Sequence, residues 1–254
     1  MPNQLSKHLD VWFLIHKSRS PMANRKAETG ECVYCGTIGK ITTDHIPPRS
    51  LFPTPRPSNL IAVPSCLPCN QGASLDDEYF KLVVLLKEDA YDHPAVQQLL
   101  PSAYRSLTKP KKFKFAQAFY RSIEEIDVKT SAGLYLGKRP TYKVELFRLD
   151  RVAERVAKGL FYHEWKTRLP DSHKMIAYSE TGLENIGTET KNKLRRISGP
   201  LFSVPEKVIG PDVFSYRFGR DESNIDCSFW LLSFFRSVRF LCLSVPRDQA
   251  VTRK

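Results

Sequence analysis

The stretch Cys32–Asn70 reads CVYCGTIGKITTDHIPPRSLFPTPRPSNLIAVPSCLPCN. It opens on one CxxC, Cys32 and Cys35, and closes on another, Cys66 and Cys69, with 30 residues between the pairs. Each CxxC forms a knuckle that aims two sulfurs at one point, and two knuckles supply the four thiolates of a tetrahedral zinc site. Gly36 follows the first knuckle, where a tight turn uses the backbone freedom of glycine. The other two cysteines, Cys227 and Cys242, lack this spacing and lie in apolar runs, so they are assigned to the core. A zinc ribbon places about 15–20 residues between its pairs. The excess here carries an acid beside a base, Asp44-His45, followed by Ile46 and two prolines. Asn59 comes later, and Asn70 stands directly after the second CxxC.

The chain has 254 residues, of which 41% are hydrophobic and 11% aromatic. That is ample for a packed core and excludes wholesale disorder. The net charge of +12 points to an anionic partner, and nucleic acid is the commonest one. The charge is uneven. Residues 31–80 carry a net −2, while residues 1–30, 81–140 and 141–254 carry +3, +5 and +6. A nucleic acid would therefore be gripped mainly from outside the cysteine-framed segment, which offers Arg49 close to the Asp-His pair. Lys109, Lys111, Lys112 and Lys114, interleaved with Phe113 and Phe115, suit a phosphate backbone and equally suit a solvated helix end. The same two readings apply to Lys191, Lys193, Arg195 and Arg196.

The apolar run Val11–Ile15 is too short for a secretory leader. The longer run Phe229–Val245 is interrupted by Arg236 and Arg239, falls short of a membrane span, and reads as buried strands. A cytoplasmic location with no membrane partner is expected. In that reducing setting CxxC pairs hold metal more often than they form disulfides.

Phosphodiester hydrolysis needs an activated water and a group that neutralises the leaving 3′-oxygen. Neutral imidazole is a natural base near pH 7, and a divalent cation on oxygen ligands serves the leaving oxygen. Neighbouring residues of a regular strand point to opposite faces. Asp44 and His45 are thus expected at a strand end or bend, which Pro47 and Pro48 would impose through fixed φ and missing N–H donors.

The ordered set Asp44-His45-Ile46-Pro47-Pro48, Asn59-Leu60 and Asn70 inside a zinc frame resembles the HNH endonucleases with their ββα-metal finger, over about residues 31–80. The resemblance implies a metal-dependent endonuclease acting on nucleic acid, with DNA as the expected substrate. It implies His45 as general base, and Asp44 and Asn70 as ligands of a catalytic Mg²⁺ or Mn²⁺. By the same resemblance Asn59 braces the loop between the strands and helps hold His45, and Cys32, Cys35, Cys66 and Cys69 hold a structural Zn²⁺. Gln71, Gly72 and Ala73 stand where many members carry a lysine, which leaves the phosphate contact of that helix open. The competing reading is a zinc-stabilised nucleic-acid-binding module without catalysis. It leaves the ordered Asp44, His45, Asn59 and Asn70 unexplained.

The expected class is α+β: a zinc-stabilised ββα-metal finger, then helices, then a small C-terminal α+β domain. The segments are a basic N-terminal arm (1–30), the finger (31–80), a helical, basic connecting region (81–140) and the C-terminal domain (141–254). Helices are predicted over Asp76–Tyr91, His93–Leu100, Lys114–Ile126, Arg148–Tyr162 and Thr188–Ile197, from apolar spacing and acidic starts. A hairpin is predicted over Asp127–Phe147 with Lys138-Arg139-Pro140 as its turn. Strands are predicted at His173–Ser179, Val213–Gly219, Cys227–Phe235 and Ser237–Val245. A second Asp-His-Pro, Asp92-His93-Pro94, has no cysteine frame. It reads as a capping aspartate with proline in the first turn. His8, His16, His163 and His173 are isolated and are given no role.

Overall fold

The computed structural model describes residues 28–249. The N-terminal arm up to residue 27, with His8 and His16, lies outside them. The fold is α+β, as expected, with the cysteine cluster near its N-terminal end and an antiparallel sheet towards its C-terminal end.

The finger begins with β1 (Thr29–Glu31), β2 (Ile38–Ile46) and β3 (Ile61–Cys66), a three-stranded antiparallel sheet. A short helix α1 (Leu67–Gly72) and a longer α2 (Ser74–Leu85) follow. The strand β2 stops at the Ile46–Pro47 peptide, which is cis. Asp44 and His45 pair across the ladder with Val63 and Ala62 and so occupy the strand end, as expected. Gly36 has φ +73° and closes the first knuckle, its N–H bonding Cys32 O at 2.9 Å.

Next come α3 (Pro94–Leu107), α4 (Phe113–Arg121) and a hairpin of β4 (Ile123–Lys129) with β5 (Tyr135–Tyr142). Two expectations are corrected here. Ile123 and Ile126 are not helical: they pair with Tyr142 and Arg139 in the ladder, where β-branched side chains fit well. The turn is not Lys138-Arg139-Pro140 but Thr130–Leu134. There Gly133 takes φ +86°, and Thr130 Oγ1 accepts from the Leu134 N–H at 3.0 Å. Pro140 is tolerated inside β5 because a two-stranded ribbon has only edges, so a missing N–H breaks no second ladder.

The long helix α5 (Leu146–Trp165) leads to β6 (His173–Ser179), α6 (Glu180–Glu184), α7 (Thr188–Ser198) and β7 (Lys207–Ile209), β8 (Phe214–Arg220), β9 (Ser228–Phe234) and β10 (Val238–Pro246). The five strands form one antiparallel sheet in the order β6-β10-β9-β8-β7. Both faces are covered. On β10, Phe240 and Cys242 join the main core with α5, while Leu241 and Leu243 meet Leu194 of α7. Burial on both faces explains why this stretch reads as a continuous apolar run rather than an alternation. Cys242 is buried as expected, but Cys227 lies in the loop before β9 and is only half-buried.

One hydrophobic core runs from Val33 of the finger to Cys242 of the sheet, so residue boundaries at 80 and 140 do not divide it. Two elements make it continuous. From α2, fully buried Phe80 packs edge-on against Phe234 and lies beside Phe240, at centroid distances of 4.9 and 5.6 Å. Burying one such ring contributes about 1.5–3 kcal/mol. From α5, Gly159 lets the helix approach the end of β2, since a Cβ there would stand 2.6 Å from Ile46 Cδ1. Among the described residues, no helix is long and apolar enough to cross a membrane.

Candidate metal centre and cleft

Two CxxC knuckles, one ahead of β2 and one at the β3–α1 junction, bring Cys32, Cys35, Cys66 and Cys69 together. Their sulfurs all lie within 4.8 Å of one another, and Cys35 Sγ is 3.7 Å from Cys66 Sγ. Zn–S bonds of about 2.3 Å in a tetrahedron place sulfurs about 3.8 Å apart, so the four can hold one tetrahedral metal ion such as zinc. Hydrogen bonding with the Thr37 hydroxyl and backbone brings the Cys35 thiol down to about 6, while burial and the neighbouring sulfurs push Cys69 up. Four thiols at one point resist joint ionisation until a cation offsets their charge. Arg168 braces the first knuckle from the loop just after α5. It bonds Glu31 and Asp171 at 2.8–3.0 Å and lies over Gly36, where a Cβ would come within 2.9 Å of its guanidinium.

Beside this centre lies an open cleft of about 740 Å³, whose lining includes Asp44, His45, Arg49, Asn70, Lys81, Lys111 and Lys112. Three of the four expected catalytic residues thus share one cavity. The fourth, Asn59, does not line it. Its amide donates to Val208 O at 3.2 Å and accepts from Gly210 N at 3.4 Å, tying the finger loop to the turn between β7 and β8.

His45 is half-buried at the end of β2. Burial, and then the nearby Arg49 guanidinium, lower its pKa below the ordinary 6.5, outweighing the opposing pull of Asp44. The ring is therefore neutral at pH 7 and able to accept a proton. Asn70 sits in α1. Its Nδ2 donates to Thr42 Oγ1 at 3.0 Å and to Thr43 O at 3.2 Å. With both amide hydrogens committed, the acceptor Oδ1 is the atom left for a ligand.

Asp44 is 5% exposed and held on several sides. Arg155 of α5 donates to its Oδ1 at 2.8 Å and to its Oδ2 at 2.7 and 3.2 Å, and the Tyr34 hydroxyl donates to Oδ2 at 2.7 Å. The same guanidinium reaches Asp77 at 2.8 and 2.9 Å. Burial works against the charge on Arg155, yet Asp77, Tyr34 and Asp44 together hold it more firmly protonated than a free arginine. Burial raises the Asp77 pKa despite Arg155, and raises that of Tyr34 strongly, next to Asp44. Two carboxylates against one guanidinium leave one negative charge at this edge of the cleft. Oδ1 of Asp44 carries a single hydrogen bond and keeps acceptor capacity.

Arg155 is the main participant that sequence reasoning missed. It lies on the long amphipathic helix, seven residues after Arg148 and hence on the same face. Arg148 bonds Asp76 at 2.9 Å just as Arg155 bonds Asp77. The adjacent acids read from sequence as favourable charges at a helix start. In the fold they are partners for two arginines one face apart from the core, a pairing that spacing within α5 signals only once α2 is known to be its neighbour.

Comparison with family models, curated proteins and solved structures gives no match to this chain. The cleft is read from its own chemistry.

Of the lysines expected to meet a nucleic acid, Lys111 and Lys112 line the cleft. Lys112 pairs with Glu78, which also accepts from Ser106 at 3.1 Å. Lys81 points its ammonium at Ser102 (3.5 Å), and burial lowers its pKa. Lys109 lines a second groove, and Lys114 is exposed on α4.

Proposed function

We propose that the chain is a metal-dependent endonuclease that hydrolyses phosphodiester bonds of nucleic acid, with DNA as the expected substrate. The reading is supported by one observation above all: a neutral imidazole, His45, shares a cleft with the oxygen donors Asp44 and Asn70 and with the cations Arg49, Lys81 and Lys111. His45 accepts the proton of the attacking water. Arg49, four residues on past Pro47 and Pro48, is placed to meet a phosphate and adds to burial in favouring the unprotonated imidazole. One carboxylate and one amide oxygen suit Mg²⁺ or Mn²⁺, which take the rest of their octahedron from waters and substrate phosphate. Such a cation, when bound, supplies charge stabilisation at the leaving oxygen. Arg155 and Tyr34 fix the Asp44 carboxylate, and the hydrogen bonds to Thr42 and Thr43 fix the Asn70 amide. In this reading zinc fills the Cys₄ centre and holds α1, and so Asn70, against β2.

A second reading, zinc-stabilised binding without catalysis, is favoured by the engagement of Asp44 with Arg155. The two separate in a cleavage assay on plasmid and on single-stranded circular DNA with Mg²⁺ or Mn²⁺, comparing wild type with His45→Ala. The nuclease reading expects cleavage that falls about 10²- to 10⁴-fold on losing a general base. Equal cutting by both proteins removes His45 from the mechanism, and binding without cutting under every divalent metal leaves the binding module.

A further inference from the structure

A second groove, of about 490 Å³, opens next to the cleft, and Leu107 lines both. Its lining includes Lys109, Phe113, Ala116, Gln117, Tyr120 and Arg121. Phe113 and Tyr120 are 65% and 57% exposed. A single ring left in water is ordinary. Two on one groove, flanked by cations, call for a ligand.

The helix sets their spacing. Phe113, Ala116, Gln117 and Tyr120 follow i, i+3, i+4, i+7 on α4 and therefore share a face. Ala116 is buried and forms the floor between the rings. Next to Ala116 on α4, buried Phe119 anchors the helix by packing on Tyr142 at 5.3 Å. The platform is thus rigid beneath the two rings. Seven residues of helix separate them by about 10.5 Å, or about three steps of a stacked strand at about 3.4 Å each.

The charge is one-sided. Lys109 and Arg121 stand at the groove, none of its lining residues is acidic, and among the described residues neither cation is in an ion pair. Lys111 falls between the groove residues Pro110 and Phe113 in the chain and lines the cleft itself. A polyanion with flat, apolar faces matches this arrangement, because every base offers a π-face and every linkage a phosphate. A duplex does not match it, since its bases are already stacked on one another.

We infer that this groove binds a short unpaired segment of nucleic acid, with bases stacked on Phe113 and Tyr120 and phosphates met by Lys109 and Arg121. Resting on the nuclease reading of the cleft, it makes the substrate one with a single-stranded stretch beside the scissile bond: a single strand, a flap or a branched end.

The test is equilibrium binding by the full zinc-loaded chain without added Mg²⁺ or Mn²⁺, measured by fluorescence anisotropy with a short oligodeoxyuridylate, an oligouridylate and a blunt duplex. Binding of single strands above duplex is expected. Phe113→Ala and Tyr120→Ala should each weaken it roughly tenfold, with duplex affinity unchanged and Phe113→Trp retaining affinity and showing quenched tryptophan emission on binding. The two oligonucleotides tell deoxyribose from ribose. Unchanged single-strand affinity in both alanine variants overturns the inference, as does equal weakening of the duplex or an absence of single-strand binding in the wild type. Because no cleavage is read, failure here leaves the plasmid result on His45 standing, and failure there leaves the groove standing.

Discussion

The chain contains Asp-His followed by proline twice, and the two copies have different fates. At Asp44-His45 the pair ends a strand, the acid is tied to Arg155 and Tyr34, and the imidazole lines a cleft with Asn70. At Asp92-His93 the imidazole is spent on structure. His93 is the residue before α3, its Nδ1 accepts from the Ala95 N–H at 3.2 Å, and its ring meets Phe235 at 5.5 Å. The expected cap, Asp92, is not the one used: the backbone places His93 at the capping position and Pro94 at the first helical position. Both rings have lowered pKa values with burial as the leading cause, and both have an arginine as the next, Arg49 and Arg236. A perturbed histidine therefore does not mark a functional site by itself. What separates the copies is whether the ring nitrogen already has a partner and whether a cavity lies in front of it.

That contrast can be broken most severely at the cysteines. The first pair depends on a finger with a cysteine knuckle at each end, and the second on a helix cap. Cys66→Ser should release zinc and unfold the finger, because structural zinc contributes about 10–16 kcal/mol to small zinc modules. Metal content by atomic emission and proteolysis mapping would show it, with α3 and its His93 cap outlasting β2. Retention of one zinc per chain would count against the Cys₄ centre.

The next largest effect concerns the acid. Arg155→Met leaves Asp44 and Asp77 facing each other without compensation, which should cost about 3–5 kcal/mol. Urea unfolding reads this directly. Among the described residues no arginine pairs with Asp92, and Asp92→Asn should leave the midpoint unchanged within error.

Smaller still is His93→Ala, which removes a cap worth about 1 kcal/mol. Plasmid cleavage should be untouched, in contrast to His45→Ala.

The subtlest test is pH. Both histidines titrate below 6.5 in the folded state. As pH falls through 6.5 the unfolded chain takes up protons first, so stability declines there and His93→Ala shows a shallower decline. In the proposed mechanism cleavage needs His45 neutral, so its acid limb should be centred below 6.5, and a limb centred above 6.5 would contradict the environment described for this ring.

Much of this was legible from local chemistry. The cysteine spacing gave the centre, the position of Pro47 gave the end of β2, and the apolar run of β9 and β10 gave buried strands. That Asn70 would meet Asp44 and His45 was implied only by the family resemblance. What failed to show were relations between distant segments. Asn59 belongs to the finger in sequence but spends its hydrogen bonds on Val208 and Gly210, some 150 residues later. Arg155 serves Asp44 across a separation of 111 residues. Neither partner has a local signature, because an arginine on the edge of an amphipathic stripe and an asparagine in a turn are ordinary in their own neighbourhoods. The strand Ile123–Lys129 was hidden for the same reason, since its type is decided by the ladder with β5 and not by its glutamates.

The close passage of Gly159 over Ile46 has a practical side. A protein engineer wishing to graft this finger onto another scaffold would take residues 31–80 and lose the helix that lies against the end of β2. With it would go the guanidinium that Asp44 leans on. The portable unit is therefore discontinuous: the finger together with α5, joined in space through one missing side chain, and any transplant must carry both pieces or supply a helix whose backbone can come as near.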